Sequence, residues 1–258
     1  LRTGQAGIAL ARLRFAREAA AAEGGTPDPA LVEAALRTAA DLDAVARGKR
    51  VPGLAAPEPA GLLDGLTGAA LLHLELHAHT GEPWLLDAAA TALRSDAARC
   101  VTMPGGTVQV RYDGRRHLLY VDRGSAGLAL VVRRYLAHRE DPALAGLIPG
   151  VRRGCAFEFV REPGLYSGRA GLLAAGHGLD AAGEGEGPAA DLTASVRNLS
   201  WHLVAEGDLL LVPGAGLLRH SADLATGAAG LLLALHVLSG AGGTGGAVPD
   251  VPDLLTLG

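Results

Sequence analysis

The pattern Gly-x-x-Gly occurs five times in this chain, each time at the head of an aliphatic run: Gly4 and Gly7, Gly65 and Gly68, Gly124 and Gly127, Gly168 and Gly171, and Gly227 and Gly230. The first glycines lie 61, 59, 44 and 59 residues apart. Such self-similarity confines the chain to a repeat architecture, in which each unit buries its apolar face on the next. The segments that follow, IALARLRFA, AALLHLELHA, LALVVRRYLA, LLAAGHGL and LLLALHVL, are rich in Ala and Leu and poor in β-branched residues outside 131–132. They read as helices.

A second helical pattern follows the first two pairs, in TPDPALVEAALRTAADLDAVARG and TGEPWLLDAAATALRSDAARC. Each opens through a proline, which fits the first turn of a helix because no N–H is needed there. The unit is therefore glycine pair, helix, polar turn, helix, and the absence of strand–helix alternation points to an all-α ring or solenoid rather than a Rossmann sheet. TVQVRYDGRRHLLYV at 107–121 alternates about an Asp-Gly turn and reads as a β-hairpin. DLLLVPGAGLLRH at 208–220 has the same form around PGAG, so short hairpins feed the later glycine helices. AAGEGEGPAA at 181–190 and GAGGTGGA at 240–247 read as flexible loop and tail. RGKRVPGLAAPEPA at 47–60 is a connection without a domain boundary, so residues 1–258 are read as one domain.

Hydrophobic residues make up 49% and charged residues 19% of the 258, as in a soluble globular protein. A formal charge of -4 without a Lys/Arg run argues against nucleic acid or an anionic membrane as partner. No apolar stretch reaches the roughly 18 to 20 residues of a membrane span, and the first residues lack the layout of a cleavable signal, so a cytoplasmic location is expected. Cys100 and Cys155 belong to no metal or redox motif and read as reduced, packed thiols. Glycine is the anomaly, at 37 of 258 residues. A helical glycine costs about 0.8 to 1 kcal/mol relative to Ala, so the pairs require compensation. Close approach of backbones, or helix N-termini left open to a ligand, would supply it, as would tight turns alone.

With these motifs in view, the chain resembles the LanC-like cyclases, α/α toroids in which successive Gly-x-x-Gly motifs line one end of the barrel. The likeness is to the C-terminal cyclase domain of class III lanthipeptide synthetases, and GSAGLALVVRRYLAHREDPALA, EPGLYSGRAGLLA and LLRHSADLATGAAGLLLALH carry it. It extends over the whole chain and implies a toroid with short hairpins before its glycine helices, five of about seven repeats being visible. The earlier repeats and the upstream lyase and kinase domains are then expected outside this sequence. The reaction implied is addition of a peptide cysteine thiol to dehydroalanine or dehydrobutyrine, giving a lanthionine or the carbon-linked labionin. The partners implied are a leader-bearing precursor peptide and the linked kinase and lyase domains, with a homodimer left open; ATP or GTP and Mg belong to the kinase domain.

Zinc-dependent relatives activate the thiol with a metal held by Cys, Cys and His. Matching the glycine pairs places the first zinc cysteine at Asp122, the later Cys-His at Tyr166 and Ser167, and the relatives' catalytic histidine at Asp64. Asp, Tyr and Ser form a poor zinc set, so a metal-free cyclase without cofactor is expected. Asp122 and Arg123 are the first candidates for chemistry: the arginine to favour a thiolate or enolate, the carboxylate to accept a proton. Their alternative role is a capping pair at a helix start. Tyr166 as acid and Arg169 as anion holder form a second cluster, with Ser167 also an ordinary N-cap. Asp64 and Asp223 read as caps or turn formers, Asp64 being favoured by position. His220 is a candidate general base or hydrogen-bonded scaffolding. His73, His77 and His79 share helical spacing but lack a third ligand. A noncatalytic α/α scaffold that binds the peptide or docks the other domains is the competing reading. An α/α-barrel glycosidase is disfavoured by an aromatic content of 3%.

Overall fold

The computed structural model describes residues 4–54, 59–180 and 193–239. Each glycine pair opens a helix: α1 (Gln5–Glu23), α3 (Thr67–Thr80), α5 (Ser125–Leu136), α8 (Arg169–Asp180) and α10 (Ala228–Ser239). Between them lie α2 (Pro29–Ala46), α4 (Trp84–Ala97), α6 (Pro142–Ala145), α7 (Ile148–Cys155) and α9 (Thr193–Arg197). The glycine helices pack in chain order, α1 on α3, α3 on α5, α5 on α8 and α8 on α10. The intervening helices form a second layer, with α2 on α1 and α3, α4 on α3 and α5, and α7 on α5 and α8. The chain is thus all-α in class, with a few short strands.

Local chemistry explains the helix starts. Asp28 caps α2 by accepting from the Ala30 N–H, with Pro29 behind it, and Asp141 caps α6 through Ala143 and Leu144 with Pro142 in the same place. The second helix of the third repeat is broken into α6 and α7 around Gly146 and Leu147. In α3 every residue from Thr67 to Leu76 is buried, as befits a helix with neighbours on all sides. The glycine-containing run at 172–179 is helical throughout, within α8.

The glycines compensate by close approach. A Cβ on Gly127 would lie 2.0 Å from the Val121 carbonyl oxygen, one on Gly171 1.9 Å from that of Leu165, and one on Gly230 2.0 Å from that of Leu224. In each case the oxygen belongs to the residue six positions earlier, so the lead-in loop folds back onto the first helical turn. Only a hydrogen atom fits between them.

The first hairpin forms where the sequence places it, with β2 (Val108–Arg111) and β3 (His117–Leu118) joined across Asp113 and Gly114. A third strand, β1 (Cys100–Thr102), pairs with β2 on its other side, and Ser125 ties the sheet to α5 by donating to the Val108 carbonyl at 2.7 Å. The second hairpin requires a correction. The ladder joins β4 (Val204–Glu206) to β5 (Leu209–Leu211) across Gly207, at φ +58°, rather than pairing strands around PGAG. Pro213 has no N–H to continue a ladder, and the PGAG segment closes only through a single bridge between Pro213 and His220. The loop and tail expected at 181–190 and 240–247 lie outside the described residues, as do 55–58 of the connection. Among the described residues no helix is long and apolar enough to cross a membrane.

Both cysteines are free. Cys155 is buried and Cys100 half-buried, and burial pushes both thiols up to about 12.

Candidate functional site

The lead-in loops before successive glycine pairs are joined by a backbone ladder. The Leu63 N–H donates to the Asp122 carbonyl at 2.9 Å, Asp122 to Tyr166 at 3.1 Å, and Tyr166 to Ala225 at 3.0 Å. Each of these residues stands two positions before its glycine. Each of the four lies in a turn just before its glycine, at 62–64, 121–123, 165–167 and 224–226, and the carbonyl of the next repeat satisfies the N–H of the first three. Glycine makes the approach possible, since a Cβ on Gly61 would meet the Arg123 backbone at 2.7 Å and one on Gly164 the Thr226 Cα at 2.8 Å.

The ladder gathers several candidate side chains. Arg123 donates through Nε to Asp64 at 2.5 Å and through Nη1 to the Tyr112 hydroxyl at 3.4 Å, with its guanidinium 6.0 Å from the Tyr112 ring centre. Asp122 accepts from the Arg123 N–H at 2.8 Å through Oδ1 and from the Ser167 hydroxyl at 2.8 Å through Oδ2. Burial raises the Asp122 carboxyl above the usual carboxylate range, although Ser167, the Arg123 N–H and the Arg123 charge all oppose the rise. Arg123 is held more firmly cationic than usual; partial burial opposes this and is outweighed by Asp64 and Asp122. Tyr166 is half-buried and its phenol is raised by desolvation. The result is a half-buried carboxyl held by Ser167 and a guanidinium held between Asp64 and Tyr112, with Tyr166 joined to Asp122 through the backbone.

Other candidates lie elsewhere. Arg169 is 1% exposed, and its guanidinium donates to the carbonyls of Phe157 at 3.4 Å and Glu158 at 2.7 Å rather than to the cluster. His220 is exposed on the bridge to Pro213. Asp223 organises its own loop, accepting from Ser221 and from the N–H and hydroxyl of Thr226, bonds that lower its carboxyl to about 2. His73 is fully buried with Nε2 3.0 Å from the Ala39 carbonyl, and burial lowers its pKa. His77 contacts the Glu82 carbonyl through Nδ1 and stacks edge-on with His138. Among the described residues no group of three or more His, Cys, Asp or Glu is placed to hold a metal. Asp122, Tyr166 and Ser167 carry a carboxylate, a phenol and an alcohol, and zinc has little affinity for an alcohol or a protonated phenol.

Two further residues matter here. Tyr112 reaches Arg123 only because the first hairpin folds back over the loop, and no spacing in the sequence marks that. Asp96, at the end of α4, is buried and accepts from the N–H groups of Gly61, Leu66 and Thr67 and the Thr67 hydroxyl, so it fixes the loop that carries Asp64. Burial nevertheless raises its carboxyl. Asp96→Ala strands four buried donors and is expected to cost about 3 kcal/mol or more of unfolding free energy. Urea denaturation measures the loss, and hydrogen exchange should show it concentrated at 61–67.

Comparison with protein-family models finds no match. Among characterised proteins, the chain is similar to the Probable SapB synthase of Streptomyces coelicolor, with 41% identity over 181 residues. The match takes in 70% of this chain and spans 19% of that protein's length. This chain is therefore related to one part of a much longer synthase.

Proposed function

We propose that the chain is part of an α/α toroid of the LanC-like type, the cyclase domain of a class III lanthipeptide synthetase, and that it closes thioether rings without a metal. The observation that carries this reading is the ladder from 63 to 225, which brings Asp64, Asp122, Arg123, Tyr166 and Ser167 together at the glycine end of packed repeats. The likeness to a synthase supports it.

In the proposed step Asp122, ionised, takes the proton of a substrate cysteine thiol. The thiolate sulfur bonds to the β-carbon of a dehydroalanine or dehydrobutyrine, and the alkene pair moves toward the carbonyl to give an enolate. Arg123, oriented by Asp64 and Tyr112, stabilises the enolate oxygen. Asp122 then returns its proton to the α-carbon, so one carboxyl serves both transfers and no net proton is gained or lost. For labionin the enolate carbon would instead attack a second dehydroalanine. Tyr166, whose backbone carbonyl accepts from the Asp122 N–H, is the second candidate proton donor.

The test gives the full synthetase a dehydrated precursor peptide and follows ring formation by thiol alkylation and mass spectrometry in wild type, Asp122→Asn, Arg123→Ala and Tyr166→Phe. Loss in the Asp122 or Arg123 variant, with folding intact, supports catalysis; unchanged rates in all three leave the noncatalytic scaffold as the better account. Metal analysis of the purified protein is expected to show no stoichiometric zinc, and chelation is expected to leave the ring-forming rate unchanged. Zinc retained through Asp122 and Tyr166 would overturn the metal-free mechanism.

A further inference from the structure

Arg169 is among the largest fully buried side chains, yet among the described residues no carboxylate pairs with it. Its Nε has no partner, and the bond from Nη1 to Phe157 is long at 3.4 Å. Glu158 offers it a backbone carbonyl while its own side chain is exposed. Nearby, the Nε2 of His202 is likewise buried without a partner among the described residues, and burial together with the Arg169 charge lowers the pKa of that imidazole. A buried cation lacking an anion is expensive, and the missing acceptor is the kind of group a carboxylate supplies.

The surroundings are unusually apolar for a surface. Asn198 bonds to the Glu158 carbonyl at 3.3 Å, which sets the Phe157–Phe159 segment beside the 198–202 turn that leads into β4. Phe159 is 77%, Trp201 61% and Leu210 67% exposed. Leu209 is exposed as well, so both faces of the β4–β5 hairpin carry uncovered leucine. Among the described residues the sheet has only two strands, and each therefore keeps one unpaired edge. An open edge flanked by apolar side chains accepts an extended peptide through its main chain.

We propose that this surface docks an extended peptide: one acidic side chain completes Arg169 with His202, apolar residues pack on Phe159, Trp201 and the hairpin leucines, and the backbone adds a strand to β4 or β5. Arg169 is covered in the free protein, so the exposed Phe157–Phe159 segment shifts to admit the carboxylate, which replaces the long contact to Phe157. Glu206 and Asp208 at the hairpin tip repel an acidic residue there and so place it at the Arg169 end. This site is separate from the Asp122 cluster and does not depend on the reaction proposed for it.

A short acetylated, amidated peptide alternating Leu with Glu, and its counterpart with Gln for Glu, are titrated into the full chain while Trp201 fluorescence is followed. Trp84→Phe removes the other of the two indoles. The Glu peptide is expected to bind about tenfold or more tightly than the Gln peptide, the difference a charge-assisted hydrogen bond provides. Arg169→Lys should keep that preference and Arg169→Gln abolish it. Because a buried arginine can be needed for folding, Leu210→Ser on the exposed hairpin is the second variant, expected to weaken both peptides about tenfold with an unchanged circular dichroism spectrum. Equal binding of the two peptides, or no binding of either to folded protein, would overturn the proposal. So would an equal response to inorganic phosphate, or a fluorescence change that follows protein concentration instead of peptide, which would mark a second copy as the occupant.

Discussion

Asp122→Asn is expected to lower the rate of ring formation by roughly 10² to 10⁴-fold, the range usual for loss of a positioned acid or base, while leaving the fold intact. Asparagine keeps the shape of the side chain and an oxygen to accept from the Arg123 N–H, and the Ser167 hydroxyl can turn to accept from the new amide. The two states of the carboxyl also predict a pH profile. Its folded pKa is raised, so the native state holds the proton more tightly than the unfolded chain does. Asp122 therefore favours folding when protonated, and that contribution is lost as pH rises from the unfolded value through the folded one. Its neutral replacement should leave stability at neutral pH equal to wild type or slightly higher. Activity runs the other way. The wild-type rate should fall as pH drops through the raised pKa, at a higher pH than an ordinary carboxylate near 3.9 would give. In Asp122→Asn that inflection should be missing from the residual rate. Single-turnover rates across acidic pH on the dehydrated peptide measure both, and a wild-type profile that Asp122→Asn leaves unaltered would sink the relay.

The largest effect on stability is expected at the second glycines. Gly127→Ala sets a methyl group 2.0 Å from the Val121 carbonyl oxygen and 3.0 Å from the Leu62 Cβ, and Gly171→Ala sets one 1.9 Å from the Leu165 oxygen. Neither oxygen can retreat without breaking the fold-back of its loop. Overpacking costs about 1 to 3 kcal/mol where side chains can yield. Here backbone must move, so a net loss of about 3 kcal/mol or more is expected even after the gain of about 1 kcal/mol in helix propensity. Gly4 is the control. It caps α1 with extended backbone at φ -109°, makes no side-chain cap bond and has nothing within 4 Å of a built Cβ. Gly4→Ser should be neutral or stabilise by a few tenths of a kcal/mol. Thermal and urea denaturation of the three variants would separate packing glycines from a merely permissive one, and a mild Gly171→Ala would refute the steric account.

The part of the fold that was legible in the sequence is the part decided within a few residues. Helix starts at the glycine pairs, the Asp-Pro cap at 28–29 and the Asp113-Gly114 turn all depend on neighbours close in the chain. The PGAG hairpin was misplaced because Gly207-Asp208 offers a turn of equal local merit, and the competing partners, 204–206 and 217–220, lie on either side of the same leucines. At the site, Asp64, Asp122, Arg123 and Tyr166 could be named from their places before the glycine pairs. Arg169 stands between its two glycines at the first position of α8, and its long side chain turns away to the carbonyls at 157 and 158. A position in a repeat fixes where the Cα sits and leaves the direction of the side chain to its neighbours.

By itself, then, the sequence determined five helices and their start points at the glycine pairs, while the structure showed why the last three pairs need bare backbone: a carbonyl six residues upstream presses on each second glycine. Tertiary structure alone decided that Arg123 meets Asp64 across 59 residues and that Asp122 meets Ser167 across 45. The reason is the ladder between lead-in turns: the N–H groups of Leu63, Asp122 and Tyr166 donate to carbonyls of the adjoining repeat, and that pairing brings residues far apart in the chain side by side.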